Sequence, residues 1–460
     1  MKPVVEALLA ALGPELVLAG EAVPERNRAD WSGLPPTRPL AVVRPRATEE
    51  VATALRICHA HGQAVVPQGG LTGLCGGARA GAGEVALSLE RMAGIEAIDP
   101  ATATMTVMAG TPLERVQAAA EAAGFFCPLD LGARGSCAIG GNIATNAGGN
   151  RVIRYGMTRE MVLGLEVVLA DGTVVTSLNR LIKNNAGYDL KHLFIGSEGT
   201  LGVVTRAVLR LQPRPRCVHA ALCALASFAA VLGLLQGARA RLGPMLSAFE
   251  VMWGDYYRFV TGRMPHVRAP LDRDHALYVL VEAQGTDEAA DGQRFEAWLE
   301  AMLEEGLLAD AALARSLGDV KAFWSLRDAA GEFRQVLGPH FSFDVGLPTG
   351  AMGDYVAACR ERLLTELPGI TALFYGHIGD GNLHIVAAVA GADPQPKEAI
   401  ERAVYEPVAA RGGTVSAEHG IGTTKKRWLP YARSPEELAL MRTLKAALDP
   451  KGILNPGKVL

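Results

Sequence analysis

"AVVPQGGLTGLCGGA", residues 64–78, runs a short β-rich segment straight into a cluster of glycines. The same texture returns in "GARGSCAIGGNIATNAGGN" (132–150) and "LFIGSEGTLGVVT" (193–205). Such spacing predicts strands that deliver backbone-rich loops to one place. Glycine lacks a Cβ, so several backbone N–H groups can converge on an anion, and a diphosphate is the natural guest. Residues 67–77 contain neither G-x-x-x-x-G-K-[ST] nor a G-x-G-x-x-G that opens a βαβ unit with an acid about twenty residues on. A P-loop and a Rossmann NAD site are therefore disfavoured.

Working outward, 460 residues predict two or three domains. A hydrophobic fraction of 49% with 20% charged residues describes a globular chain with a sizeable core. The net charge of -3 offers no electrostatic case for nucleic acid. Seven scattered cysteines, with no C-x-x-C pair, predict reduced thiols in a reducing compartment and give no support to a zinc ribbon or iron–sulfur site. The first residues read as an amphipathic helix broken by Glu6 and ended by Pro14, not as a signal peptide. The apolar run 220–236 is too short for the ~20 residues of a bilayer span. Proline and arginine in "RLQPRPRC" (210–217) mark a linker. Beyond it, helical stretches such as 287–306 alternate with strands such as 276–285. A tail helix begins at Ser434 and stops at Asp449.

"TALFYGHIGDGNLHIVAAV" (371–389) is two β-rich runs joined at Asp380-Gly381, a strong hairpin signal. A two-residue turn there would pair Gly379 with Asn382, Ile378 with Leu383 and His377 with His384. Opposed residues share a face with Cβ atoms roughly 4.5–5.5 Å apart, which makes an imidazole pincer suited to a divalent metal. "GGTVSAEHGIG" (412–422) adds Glu418 and His419, whose side chains in an extended segment face opposite ways, one toward a metal and one toward a substrate.

The glycine segments, together with "LIKNNAGYDLKHLFIGSEGTLGVVT", "GHIGDGNLH", "SAEHGIG" and "LDPKGILNPGKV", resemble flavoenzymes of the vanillyl-alcohol oxidase type. The resemblance is narrower to their D-lactate and D-2-hydroxyglutarate dehydrogenase branch, and it extends over nearly the whole chain. It implies an α+β, two-domain PCMH-type (vanillyl-alcohol oxidase-like) FAD-binding fold. The FAD-binding domain would be residues 1–215, an α+β cap or substrate domain 216–409, and a C-terminal segment 410–460 would return to the flavin. FAD would be held by Pro67, Gly69, Gly70, Thr72, Gly73, Leu74, Gly76 and Gly77 at the pyrophosphate. Ser136, Gly140, Gly141, Asn142, Thr145, Asn146, Gly149 and Tyr155 would line the flavin, with Gly202 and Val204 on the adenine side and Asn455 from the tail. The first glycine loop holds Gln68 and Leu71 but no histidine, so the FAD is expected to be non-covalent.

By the same resemblance, His377, His384 and Glu418 would hold the metal, zinc first, with manganese or cobalt as alternatives. His419 would be the catalytic base and a substrate contact, and Arg327 would grip the substrate carboxylate. The family's threonine, lysine and asparagine are replaced here by Gly331, Ser342 and Val386, of which Ser342 and Val386 would still stand at the substrate-binding positions. Because cationic and polar groups are lost, the expected substrate is a D-2-hydroxy acid with a smaller or more apolar side chain; a 2-hydroxyglutarate-specific enzyme is the alternative. The expected product is the 2-oxo acid, with hydride passing to flavin N5. The acceptor would be quinone, electron-transferring flavoprotein or a cytochrome. A cytoplasmic location, with peripheral membrane attachment or a homodimer compatible with it, completes the expectation. "KKRW" (425–428) reads as a solvated basic run. A metal-dependent hydrolase and a non-catalytic flavin scaffold remain the readings from other classes.

Overall fold

The computed structural model describes residues 2–460. They form two compact units: Met1–Gly149 with Gly156–Arg214 and Glu418–Leu460, and Asn150–Tyr155 with Pro215–Ala417.

In the first unit, a four-stranded sheet has the order Val17–Ala19, Ala41–Val43, Val85–Ser88, Val65–Gln68, with its last three strands parallel. Parallel strands are buried on both faces, which explains why "AVV" and "VALS" are apolar runs without alternation. The helix Thr48–Ala60 supplies one crossover and buries Val51, Leu55 and Cys58, three to four residues apart. Beyond Val65 the sheet is extended by the C-terminal tail: Val65 N–H donates to Ile453 O at 2.8 Å and Asn455 N–H to Val65 O at 2.8 Å. A second, five-stranded antiparallel sheet is ordered Ile95–Asp99, Thr104–Met108, Val203–Arg210, Val162–Val168, Val174–Ser177. The tail helix Pro435–Leu448 starts as expected, with a Ser434–Glu437 capping box.

The second unit is built on seven antiparallel strands among the described residues. Their order is Asp310–Leu313, Cys217–Leu225, Leu277–Gly285, Leu246–Trp253, Ile370–His377, Asn382–Val389, Phe341–Gly346. The apolar run at 220–236 divides into the second half of a strand and a helix, Phe228–Leu242, capped by Ser227. One face of this sheet carries a core of Leu222, Met252, Tyr256, Leu280, Phe323, Leu326, Phe333 and Val386.

Two boundaries differ from the sequence expectation. Asn150–Tyr155 belongs to the second unit, because Arg151 pairs with Glu282 at 2.9 Å and Arg154 donates to Gln284 O at 2.6 Å. A carboxylate in the middle of an apolar strand needs a cation, and this short insertion provides one. The second unit also runs on past 410 to Ala417, since Thr414 bridges Gly346 and Ala417 N–H donates to Asp344 O at 3.2 Å.

Candidate active site

In the first unit the glycine loops meet. A Cβ at Gly70 would fall 2.0 Å from Ser136 O, so only glycine lets the first loop lie against the second. Gln68, buried, closes the first loop: it donates to Ala78 O at 2.9 Å and accepts from Asn27 at 2.8 Å. Asn455 donates to Gly77 O at 3.0 Å and Glu198 O at 2.7 Å, joining the first loop, the third loop and the tail. The Glu198 carboxylate accepts from Ile421 N–H at 2.7 Å and Gly422 N–H at 2.9 Å. Burial pushes its pKa above the ordinary glutamate value, and these two donors offset only part of that. Gly149 N–H donates to Glu418 Oε1 at 2.8 Å. Leu71, Glu198 and Asn455 all have positive φ without being glycine, a conformation that costs about 1–3 kcal/mol each and clusters at functional sites.

These contacts bring together Pro67–Gly77, Ser136–Gly149, Glu418 and Asn455. Gly202 and Val204 pack against the neighbouring strand, a Cβ at Gly202 lying 2.5 Å from Val167 and Val204 sitting opposite Val167 in the antiparallel ladder. Tyr155 lies in the second unit, hydrogen-bonded to Gln284 at 3.0 Å. The glycine loops fit a dinucleotide guest. A Cβ at Gly73 or Gly141 would meet nothing within 4 Å, so both border open space. The buried Oδ1 atoms of Asn142 and Asn455 have no hydrogen-bond partner among the described residues, an arrangement that a polar ligand would complete.

In the second unit the hairpin differs from the expected two-residue turn. The strands end at His377 and resume at Asn382, and Ile378–Asp380 form a 3-10 turn. The register pairs Tyr375, not His377, with His384. His377 instead stands opposite Glu250 in the neighbouring strand. The Asp-Gly signal assumed that the strands pair up to the turn, whereas the 3-10 turn takes up Ile378 and Gly379 before Asp380. The two histidines remain on one face as a diagonal pair, with ring centroids 5.2 Å apart and ligand nitrogens within 4.8 Å.

Arg327 reaches the same face from the helix Leu317–Asp328. Its Nε donates to Glu250 Oε2 at 2.9 Å, and its Nη2 lies 2.6 Å from His377 Nε2. Glu250 Oε1 lies 2.5 Å from His377 Nδ1. Burial opposes both charges. His377 and Arg327 nevertheless hold the Glu250 carboxyl below its ordinary value, and Glu250 with Asp328 holds the Arg327 guanidinium above its own. Three residues earlier on that helix, Trp324 Nε1 donates to Glu282 Oε2 at 2.9 Å. The helix is thus docked through two buried carboxylates.

Ser342 and Val386 are opposed across the outer strands, Ser342 exposed and Val386 in the core. A Cβ at Gly331 meets nothing within 4 Å. The amide of Asn382, only 4% exposed, has neither a donor nor an acceptor partner among the described residues. It alternates onto the His384 face, where it suits a polar guest. The histidine face also fits a divalent cation in its donor chemistry, since His377 and His384 each offer an imidazole nitrogen.

Sequence reasoning did not single out Glu198, Glu250 or Glu282. The signal for the last two was a lone carboxylate inside an apolar strand, "LSAFEVMW" and "LYVLVEAQG". The cysteines offer no competing nucleophile: all seven are buried, none is in a disulfide, and burial pushes Cys58, Cys127, Cys223 and Cys359 up to about 12.

Residues 39–177 match the FAD binding domain family, and residues 214–459 match the C-terminal domain of FAD linked oxidases. The chain is 42% identical over 454 residues to the mitochondrial D-2-hydroxyglutarate dehydrogenase of Bos taurus, covering 99% of this chain and 83% of the bovine one. It is also 42% identical to the D-2-hydroxyglutarate dehydrogenase of Xanthomonas citri pv. viticola, covering 95% and 92%. Among solved structures, p-cresol methylhydroxylase aligns with a TM-score of 0.78 at 17% identity, covering 99% of this chain and 96% of that one. The 4-ethylphenol oxidase of Gulosibacter chungangensis aligns at 0.76 and 19%, again covering 99% and 96%. Those two likenesses show the fold, which is vanillyl-alcohol oxidase-like. The chain belongs to the FAD-linked oxidase family, in its branch of FAD-dependent D-2-hydroxyacid dehydrogenases.

Proposed function

We propose that the chain oxidises a D-2-hydroxy acid with a side chain smaller or more apolar than that of 2-hydroxyglutarate, with a divalent cation, zinc first, bound by His377, His384 and Glu418. The observation that carries this reading is the shared sheet face of His377, His384 and Arg327. Support for Glu418 comes from chain continuity: it directly follows Ala417, whose N–H is bonded to Asp344, and Asp344 stands opposite His384 in the ladder.

FAD, when bound, supplies the two-electron acceptor. A divalent cation would supply Lewis acidity toward the hydroxyl and carboxylate oxygens. Arg327 spends its Nε on Glu250, and its terminal nitrogens, on the histidine side, bind the substrate carboxylate. His419 accepts the hydroxyl proton, a task suited to imidazole near neutral pH. Gly331, Ser342 and Val386 leave the far end of the substrate without a cation. The relatives' name favours the dicarboxylate alternative; these three residues favour the smaller acid. Electrons pass on to a non-nicotinamide acceptor, a quinone, electron-transferring flavoprotein or cytochrome. No helix among the described residues is long and apolar enough to cross a membrane.

The test is anaerobic bleaching of the flavin by D-lactate, D-malate, D-2-hydroxyglutarate and longer D-2-hydroxy acids, each with and without a chelator. Chelator-sensitive bleaching, fastest with a small or apolar acid, is expected. Bleaching indifferent to chelation removes the metal, and a sharp preference for 2-hydroxyglutarate restores the dicarboxylate.

A further inference from the structure

We propose that Glu250 is a positioning residue for this site: it holds the His377 ring in the tautomer that presents Nε2 as a lone pair to a metal, and it holds Arg327 beside that ring. This rests on the metal reading above and adds a residue to it.

The geometry leaves one assignment of protons. A carboxylate only accepts and a guanidinium only donates. His377 lies between them, Nδ1 at 2.5 Å from Glu250 Oε1 and Nε2 at 2.6 Å from Arg327 Nη2. A proton on Nε2 would face an N–H donor, and a bare Nδ1 would face a carboxylate oxygen. The ring is therefore Nδ1–H, with its lone pair on Nε2; that lone pair accepts from Arg327 Nη2 in this structure, and a metal would take the place of that N–H. Glu250 serves both partners at once because its second oxygen, Oε2, accepts from Arg327 Nε at 2.9 Å. The strand register fixes this, since Glu250 and His377 stand directly opposite one another. At 1% exposure the Glu250 side chain has no water with which to exchange either bond. A histidine oriented by a carboxylate through its other nitrogen is a recurring support for metal ligation, and its loss typically costs 10–100-fold in metal affinity.

Glu250→Gln tests the assignment. A glutamine has one acceptor oxygen where two donors arrive, so its NH2 must face His377 Nδ1–H or Arg327 Nε–H. Zinc affinity of the purified FAD-loaded protein would be measured by competition with a chromophoric chelator, beside Glu166→Gln, which disturbs a buried carboxylate–arginine contact in the first unit. The expected result is a 10–100-fold weaker zinc affinity in Glu250→Gln, with FAD content retained and Glu166→Gln close to wild type. Equal affinity in Glu250→Gln and wild type, or an equal loss in both variants, overturns the proposal. A wild-type chain that takes up no zinc removes the metal reading itself, and this inference with it. Should Glu250→Gln fail to fold, 15N-histidine NMR of the wild type gives a second reading: an Nδ1–H tautomer at His377 supports the assignment and an Nε2–H tautomer overturns it.

Discussion

Ser342 is exposed on an outer strand across from buried Val386, and nothing cationic stands at its position. Ser342→Lys should therefore lower KM for D-2-hydroxyglutarate by about tenfold relative to D-lactate, the scale of one charge-assisted hydrogen bond. Steady-state kinetics on both acids checks this, and an unchanged ratio removes the specificity argument. Glu198 gives a pH prediction. Its folded pKa lies above the ordinary 4.5, so between those values the folded chain holds more protons than the unfolded one. Stability from this group is full below pH 4.5 and declines as pH rises through the raised value. Melting curves of Glu198→Gln should lack that decline, so the variant's Tm should gain on the wild type as pH increases. Residues of this kind were hard to see in the sequence. His377 and His384 announce themselves by rarity, but Glu198 is one acid in a glycine motif, and its role depends on backbone donors more than 220 positions away.

At the scale of elements, the first glycine loop was legible because glycine clusters imply close backbone approach whatever the partner. Gly70→Ala tests the approach itself: the added methyl must push Ser136 aside, and the purified variant should bind FAD at least tenfold more weakly, read from flavin absorbance per chain. Retention of full FAD would show that the two loops can part without loss. The hairpin was legible in its existence and not in its register. A Pro, Gly or Asp-Gly signal marks where a chain reverses, whereas the 3-10 turn at Ile378–Asp380 and the pairing of His377 with Glu250 come from a strand distant in sequence. Likewise, the short helix Val152–Tyr155 looks local, yet its assignment depends on Glu282 and Gln284.

At the scale of the molecule, the chain leaves the first unit after Gly149 and Arg214 and returns at Gly156 and Glu418. The linker at 210–217 was readable from proline and arginine, but the return at Glu418 was not, since Thr414–Ala417 carry no break in composition and are tied to the second unit only by tertiary bonds. A chain truncated after Ala417 should keep the seven-stranded sheet and lose FAD, because Leu454 and Asn455 no longer extend the Val65 strand or hold Gly77. Circular dichroism with flavin absorbance separates the two effects.

That return also sets an order of events during synthesis. When the ribosome has finished Ala417, every strand of the second unit's sheet has been made, while the first unit still lacks the residues that close its glycine loops. At ~5–20 residues per second the remaining segment takes a few seconds to appear. For that interval the nascent chain carries every strand of the seven-stranded sheet, while the first unit's glycine loops still lack their contacts from the tail. Stable capture of the dinucleotide must therefore wait for Leu454 and Asn455 to emerge, which places flavin uptake after the second unit's sheet has been made.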